Sequence, residues 1–285
     1  MIMAAQLIDG KVLSAYVKAQ LAKETQELKQ MGVTPGLVVI LVGEDPGSQI
    51  YVRNKEKACQ ETGIASTVLR LNESTTQEEL EALIHKFNDD ENVDGILVQV
   101  PLPNHMNEAA VLSLINPEKD VDGFHVVNMG NLFGGMESIV ACTPKGVMEM
   151  IHSTGVSVSG KEAVVVGRSN NVGKPIAMLL LQENATVTMC HSRTKDLASH
   201  TRRADILVAA VGRPRFITGD MIKPGAMVVD VGINRVDGKV VGDVDFASAC
   251  EVADYISPVP GGVGLMTVAM LMKNTLQIAR KRVRQ

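Results

Sequence analysis

The stretch from Lys161 to Thr194 restricts the possible folds of this chain more than any other. It runs Lys-Glu-Ala-Val-Val-Val-Gly-Arg-Ser-Asn-Asn-Val-Gly-Lys-Pro-Ile-Ala-Met-Leu-Leu-Leu and, after a short gap, Ala-Thr-Val-Thr-Met-Cys-His-Ser-Arg-Thr. Ala163 to Val166 is a β-branched run that stops at Gly167, while Pro175 to Leu181 lacks alternation and starts with proline, which suits the first turn of a helix. The order is therefore strand, tight loop, helix, strand. In such a βαβ unit the loop and the helix N-terminus aim backbone N–H groups at an anion, and a dinucleotide pyrophosphate is the natural ligand. The loop departs from a regular Gly-x-Gly-x-x-Gly, because Gly167 and Gly173 stand one residue too far apart and Ser169 takes the middle place. On this motif alone, a cofactor loop and a plain glycine-punctuated turn both remain open.

The end of the next strand narrows the choice of cofactor. A site for NAD places Asp or Glu about 20 residues past the glycine loop, where it accepts from the ribose hydroxyl. Here that place holds His191, Ser192 and Arg193, and Arg168 stands in the loop itself. Cations without a carboxylate suit a 2′-phosphate, so NADP is favoured over NAD. The plainer alternative is that Arg168 and Arg193 are ordinary solvated side chains.

Apolar strands alternate with helical patterns along the rest of the chain, which is the signature of an α/β protein. Lys11 to Met31 has helical spacing and can stop at Gly32; Leu37 to Val42 is a continuous apolar run, as in a parallel strand buried on both faces. Ser48 is expected to cap a helix running to about Thr62, followed by a strand at Thr67 to Leu71, a helix at Gln77 to Phe87, a strand at Gly95 to Val100 and a short helix at Asn107 to Ile115. Glu118 to Glu137 is glycine-rich and reads as irregular. A helix then follows from Thr143 to Ile151, with strands at Ala163 to Val166, Ala185 to Met189, Ile206 to Ala210 and Met227 to Val231. Asp237-Gly238 marks a hairpin, Pro258 to Gly264 a second glycine loop, and Met266 to Arg282 a terminal helix whose Arg280, Lys281 and Arg282 suit the negative end of its dipole.

With 285 residues, 45% of them hydrophobic, two modest domains are expected. The net charge of −4 and the lack of a basic segment before the C-terminus argue against nucleic acid. Cys59, Cys142, Cys190 and Cys250 lie far apart with no Cys-x-x-Cys, so neither zinc nor a disulfide framework is expected, and a reducing cytoplasm fits. The longest apolar run, near Val263 to Met272, is too short to span a bilayer, and no membrane role is expected.

Tyr51 and Lys55 stand four apart and share one helix face. Gln99 ends the third strand and Asp122 lies in Asp-Val-Asp-Gly just beyond the next helix, so polar groups of different kinds can converge at one sheet edge. Taken separately, Lys55 reads as a solvated charge and Asp122 as a turn residue. A metal site built from Asp120, Asp122 and His125 is the weaker reading, since no further ligands accompany them.

Eight segments in order resemble the bifunctional methylenetetrahydrofolate dehydrogenase/cyclohydrolase family along nearly the full chain. They are Tyr51-Val-Arg-Asn-Lys55, Gly95-Ile-Leu-Val-Gln-Val-Pro-Leu-Pro103, Lys119-Asp-Val-Asp-Gly123 and Cys142-Thr-Pro-Lys-Gly146, then Gly167-Arg-Ser169, His191-Ser-Arg-Thr194, Lys223 to Asn234 and Pro258-Val-Pro-Gly-Gly-Val-Gly264. The resemblance implies an α/β protein with an N-terminal folate-binding domain (1–140, completed by the helix 266–285) and a C-terminal Rossmann-like, doubly wound NADP domain (141–265). It implies NADP-linked oxidation of 5,10-methylenetetrahydrofolate and hydrolysis of the methenyl product to 10-formyltetrahydrofolate in one interdomain cleft, by a homodimer.

By the same resemblance, Lys55 is the catalytic lysine, Tyr51 the ring lining the folate, Gln99 the partner of the lysine and Asp122 the pterin anchor. Gly167, Arg168, Ser169, Ser192, Arg193 and Ile233 would bind the cofactor, and Pro260 and Gly261 would join Tyr51, Gln99 and Asp122 around the substrate. The physical reasons are separable. A carboxylate accepts two adjacent N–H donors of a pterin edge at once, and a neutral amide partner leaves a lysine freer to give up its proton than a carboxylate would. Two positions depart from the family pattern: Leu265 stands where proline is usual, which loses a fixed φ, and Asn171 where an aliphatic residue is usual. Two rivals remain open, an NADP-linked dehydrogenase acting on a hydroxy acid such as a shikimate, and a non-catalytic NADP-binding sensor.

Overall fold

The computed structural model describes residues 5–284 and divides the chain into two compact units, one of residues 15–142 with 268–285, the other of residues 1–14 with 143–267. The elements begin with β1 (Gln6–Leu7), α1 (Gly10–Gln30), β2 (Gly36–Val42), α2 (Pro46–Thr62), β3 (Ala65–Leu71), α3 (Gln77–Asp89), β4 (Gly95–Val98), α4 (Glu108–Ser113) and α5 (Val126–Phe133). They continue with α6 (Cys142–Ser153), β5 (Glu162–Val166), α7 (Gly173–Gln182), β6 (Thr186–Cys190), α8 (Leu197–Thr201), β7 (Ile206–Ala209), β8 (Met227–Asp230), β9 (Asn234–Val236), β10 (Lys239–Val241), α9 (Phe246–Cys250), β11 (Tyr255–Ile256) and α10 (Val263–Ala279).

The first unit is built on a parallel sheet ordered β3-β2-β4. β2 is central and buried along its whole length, as its unbroken apolar run requires. The lower core packs Val38, Ile40 and Val42 against Leu80, Ile84, Ile96 and Val98. Because β3 and β4 flank β2 on opposite sides, the crevice beyond their C-terminal ends is where a ligand is accommodated in an open α/β sheet. α2 leaves β2 at that end.

The cap of α2 corrects one expectation. Asp45, not Ser48, is the N-cap: its carboxylate accepts from the Ser48 backbone N–H at 2.7 Å, and Pro46 fills the first turn. That hydrogen bond holds the Asp45 carboxyl below its usual range. Ser48 is buried within the first turn. Gly63 ends the helix in the left-handed conformation at φ 76°, with its N–H on Cys59 and Gln60 carbonyls.

The stretch expected to be irregular contains α5, capped by His125, whose Nδ1 accepts from the Val127 N–H at 3.2 Å. One glycine and two asparagines among its eight residues hid this helix from the sequence. The basic cluster at the C-terminus also acts differently from a dipole cap. Arg280 pairs with Glu24, and Arg282 reaches the Thr34 carbonyl at 2.7 Å and the buried Asp94 carboxylate at 2.8 Å, so these arginines tie the chain end to this unit.

The second unit carries a six-stranded parallel sheet ordered β1-β11-β8-β7-β5-β6. β5 lies between β6 and β7, so the strand order reverses there, as in a doubly wound fold. The expected first domain began at residue 1, yet Gln6 and Leu7 pair with Tyr255 and Ile256 on this sheet. Two-residue strands such as β1 and β11 are too short for a periodicity signal. Asp237 and Gly238 both take positive φ, 49° and 76°, in the β9–β10 hairpin, as a two-residue turn between twisted strands requires.

Candidate functional site

Two clusters of predicted residues form, one in each unit. In the first, Lys55 projects from the middle of α2 and Gln99 follows β4. The Lys55 ammonium donates to Gln99 Oε1 at 3.0 Å. Gln99 is buried and fixed at both ends: its backbone N–H donates to the Ile40 carbonyl at 2.8 Å, and its Nε2 donates to the Val100 carbonyl at 2.7 Å. That second bond orients the amide, since only the oxygen is then left to face the lysine.

Asp122 reaches the same end of the sheet by register. The Lys119–Val121 segment lies beside β4, with Ile96 paired to Asp120 in parallel, so residue 122 comes level with Val98, one short of Gln99. Gly95 allows this approach, because a Cβ there would lie 2.4 Å from the Val121 side chain. The two aspartates of Asp-Val-Asp-Gly have different duties. Asp120 closes the turn, accepting from the N–H groups of Gly123 and His125 and from Asn128 Nδ2. Asp122 makes no such hydrogen bond among the described residues. Burial pushes its carboxyl above the usual carboxylate range, the Lys55 charge draws it back, and Asp120 raises it further. A carboxylate held near a cation and left without a donor is suited to accept from a ligand.

Tyr51 stands one turn before Lys55 on α2 and is 44% exposed, so its ring is available beside the lysine. His125 Nδ1 and the Asp120 carboxylate accept the capping and turn bonds above.

The second cluster surrounds a cavity of about 420 Å³ at the C-terminal ends of β5, β6 and β7. Gly167, Arg168 and Ser169 line it after β5, His191, Ser192 and Thr194 after β6, and Val211, Arg213 and Phe216 after β7. Gly167 sits at φ 135° with the Ala210 carbonyl oxygen 2.2 Å from where its Cβ would be, and a Cβ on Gly173 would lie 2.3 Å from the Gly167 oxygen. The loop can turn this tightly into α7 only with glycine at both places. Ser169 Oγ accepts from the Gly173 N–H at 3.3 Å. No Asp or Glu is among the lining residues.

Other predicted residues lie outside this lining. Arg193 is exposed, with its backbone N–H on His191 Nδ1 at 3.1 Å. Ile233 is 53% exposed and stands beside Gly264. Pro260 and Gly261 belong to the second glycine loop, where Gly261 has φ 106° and Gly262 packs closely on Gly10. Leu265 donates its N–H to the Gly262 carbonyl at 3.2 Å, a bond proline could not make. Asn171 is exposed in the turn.

Among known proteins, the tetrahydrofolate dehydrogenase/cyclohydrolase catalytic domain, taken as a family model, matches residues 8–122, and the NAD(P)-binding domain of the same family matches residues 141–283. The chain belongs to the tetrahydrofolate dehydrogenase/cyclohydrolase family. It is 58% identical to the bifunctional protein FolD of Moorella thermoacetica over 98% of this chain and 100% of that one. Among solved structures, the bifunctional FolD of Campylobacter jejuni is 50% identical with a TM-score of 0.95, covering 98% of this chain and 100% of that one. The FolD of Trypanosoma brucei, solved with NADP and an inhibitor, is 42% identical with a TM-score of 0.93 and covers 99% of both chains.

The sequence reading missed Arg213 and Phe216. Their signal was available, since the loop after a strand next to the reversal of strand order lines the crevice. It also missed the separate duty of Asp120, which nothing in Asp-Val-Asp-Gly distinguishes from that of Asp122.

Proposed function

We propose that this chain oxidises 5,10-methylenetetrahydrofolate with NADP and hydrolyses the resulting methenyl compound to 10-formyltetrahydrofolate, one shared site serving both reactions. The residues of the second unit fit NADP: a tight glycine turn precedes α7, and arginine and hydroxyl groups replace the ribose-binding carboxylate. When bound, the nicotinamide accepts the hydride. Gly167, Arg168, Ser169 and Ser192 hold the phosphates and ribose in this assignment, with Arg193 and Ile233 nearby.

The observation that carries the reading is the Lys55–Gln99 hydrogen bond with Asp122 close by. Hydrolysis needs a base to take a proton from water as it adds to the methenyl carbon, and an acid to return it as the carbon–nitrogen bond opens. In this assignment Lys55 does both in turn, its side chain held in place by the Gln99 amide. Asp122 accepts the pterin N–H pair, Tyr51 stacks on the flat ring system, and Pro260 and Gly261 edge the folate. The oxidation asks less of the side chains: holding donor and acceptor in contact is most of the work.

The reading carries with it a cytoplasmic homodimer. No helix among the described residues is long and apolar enough to cross a membrane, and no disulfide joins any of the four cysteines. Purified protein given methylenetetrahydrofolate and NADP should form NADPH and then release 10-formyltetrahydrofolate. A folded protein that reduces no NADP with this substrate, yet does so with a hydroxy acid such as shikimate, would replace the proposal with its rival.

A further inference from the structure

The loop after β7 holds an arginine whose side chain has no charged partner. Asp243, wholly buried, takes four hydrogen bonds: from the backbone N–H groups of Val211 at 2.6 Å, Gly212 at 2.9 Å and Arg213 at 2.9 Å, and from Asn234 Nδ2 at 2.9 Å. Asp243 is itself fixed, because its N–H donates to Asp230, which also accepts from Gly232 and Val244. A buried carboxylate that collects three successive backbone N–H groups leaves the loop little freedom. Arg213 is thereby presented from a rigid base.

Its guanidinium carbon lies 4.2 Å from the centre of the Phe216 ring. Stacking on an aromatic face fixes the plane of the guanidinium and leaves its N–H edge free to make bonds. Among the described residues that edge has no hydrogen bond or ion pair. Arg70, Arg202, Arg280 and Arg282, by contrast, each meet a carboxylate. Arg213 lines the same cavity as Arg168, Ser169 and Ser192, and no acidic side chain lines that cavity to neutralise it.

We propose that Arg213 is a specificity residue of the cofactor pocket, its guanidinium edge binding the phosphate on the adenosine ribose opposite Arg168. The assignment rests on the reading that this pocket takes NADP. It gives the pocket two arginines from separate loops, and the second is pre-oriented by Phe216 and Asp243.

The test is calorimetric titration with 2′,5′-ADP, which carries the phosphate, and 5′-AMP, which lacks it, so no turnover is needed. Arg213→Gln should weaken 2′,5′-ADP about 10- to 100-fold, the size of a lost charge-assisted contact, and leave 5′-AMP within about twofold. Arg213→Lys should recover part of the loss, because charge returns without the fork. Arg213 is exposed, and unchanged melting temperatures would confirm that both variants fold. Equal losses for the two ligands would make Arg213 a stacking surface for the base and overturn the proposal, as would no loss for either. If the wild-type protein fails to prefer 2′,5′-ADP while Arg168→Ala also changes nothing, the NADP reading itself falls and takes this assignment with it.

Discussion

Replacing Gln99 by glutamate tests the proposed hydrolytic chemistry at its most sensitive point. The amide oxygen lies 3.0 Å from the Lys55 ammonium, so Gln99→Glu puts a full negative charge at that distance. At an effective dielectric near 20 such a pair attracts by about 5 kcal/mol; Lys55 keeps some contact with water, which reduces this to roughly 2–3 kcal/mol. That amount favours the charged amine over the neutral base and predicts a loss of roughly 30- to 150-fold in hydrolysis of methenyltetrahydrofolate at neutral pH. The deficit should shrink as the pH is raised. Gln99→Met separates charge from geometry, since like glutamate it gives up the bond to the Val100 carbonyl but it puts no charge beside Lys55. It should cost far less than Gln99→Glu when the methenyl chromophore is followed in stopped flow. Equal rates for the two variants, or a Gln99→Glu enzyme as fast as the wild type, would refute the reasoning.

Three further outcomes follow from single residues. Burial raises the Asp122 carboxyl, so as pH falls it protonates above the usual carboxylate value of about 4; folate affinity should decline from that higher pH, and Asp122→Asn should bind weakly with a flat pH profile in equilibrium titration. Gly167→Ala places a Cβ 2.2 Å from the Ala210 oxygen at φ 135° and should cost roughly 2–4 kcal/mol in urea unfolding, with weakened 2′,5′-ADP binding. Arg282→Ala leaves the buried Asp94 with only the Gly36 N–H at 2.8 Å and should destabilise the fold by about 2–4 kcal/mol. Its sign with pH is fixed: burial already raises Asp94, and losing the arginine raises it further. The deficit should therefore be small where Asp94 is protonated and grow as pH climbs through the raised value, as measured by unfolding between pH 4 and 8.

The parts of the fold that could be read from the sequence are those with long apolar runs. β2 announces itself as an unbroken run of Leu, Val and Ile and β5 as Ala-Val-Val-Val because both faces are covered, and α3 does so by its amphipathic spacing. β1 and β11 were hidden because their two residues are set by pairing, not by pattern. Ser48 was the expected cap of α2; Asp45 takes that place because Pro46, directly after it, fits the first turn. At the candidate site, the i,i+4 spacing of Tyr51 and Lys55 was visible, and the strand end at Gln99 was too. Which aspartate closes the turn and which faces Lys55 depends on the pairing of Ile96 with Asp120, a tertiary contact with no local signature. Arg213 depends in the same way on Asp243, thirty residues later, gathering its loop.

The account rests on Lys55 as the group that moves the proton in hydrolysis, and the most direct measurement is the rate at which Lys55→Ala converts methenyl- to 10-formyltetrahydrofolate beside its affinity for 2′,5′-ADP. The account predicts that hydrolysis falls to the uncatalysed rate while the affinity stays at the wild-type value, because the lysine and the cofactor pocket belong to different units. Hydrolysis at the wild-type rate in the Lys55→Ala protein would contradict it.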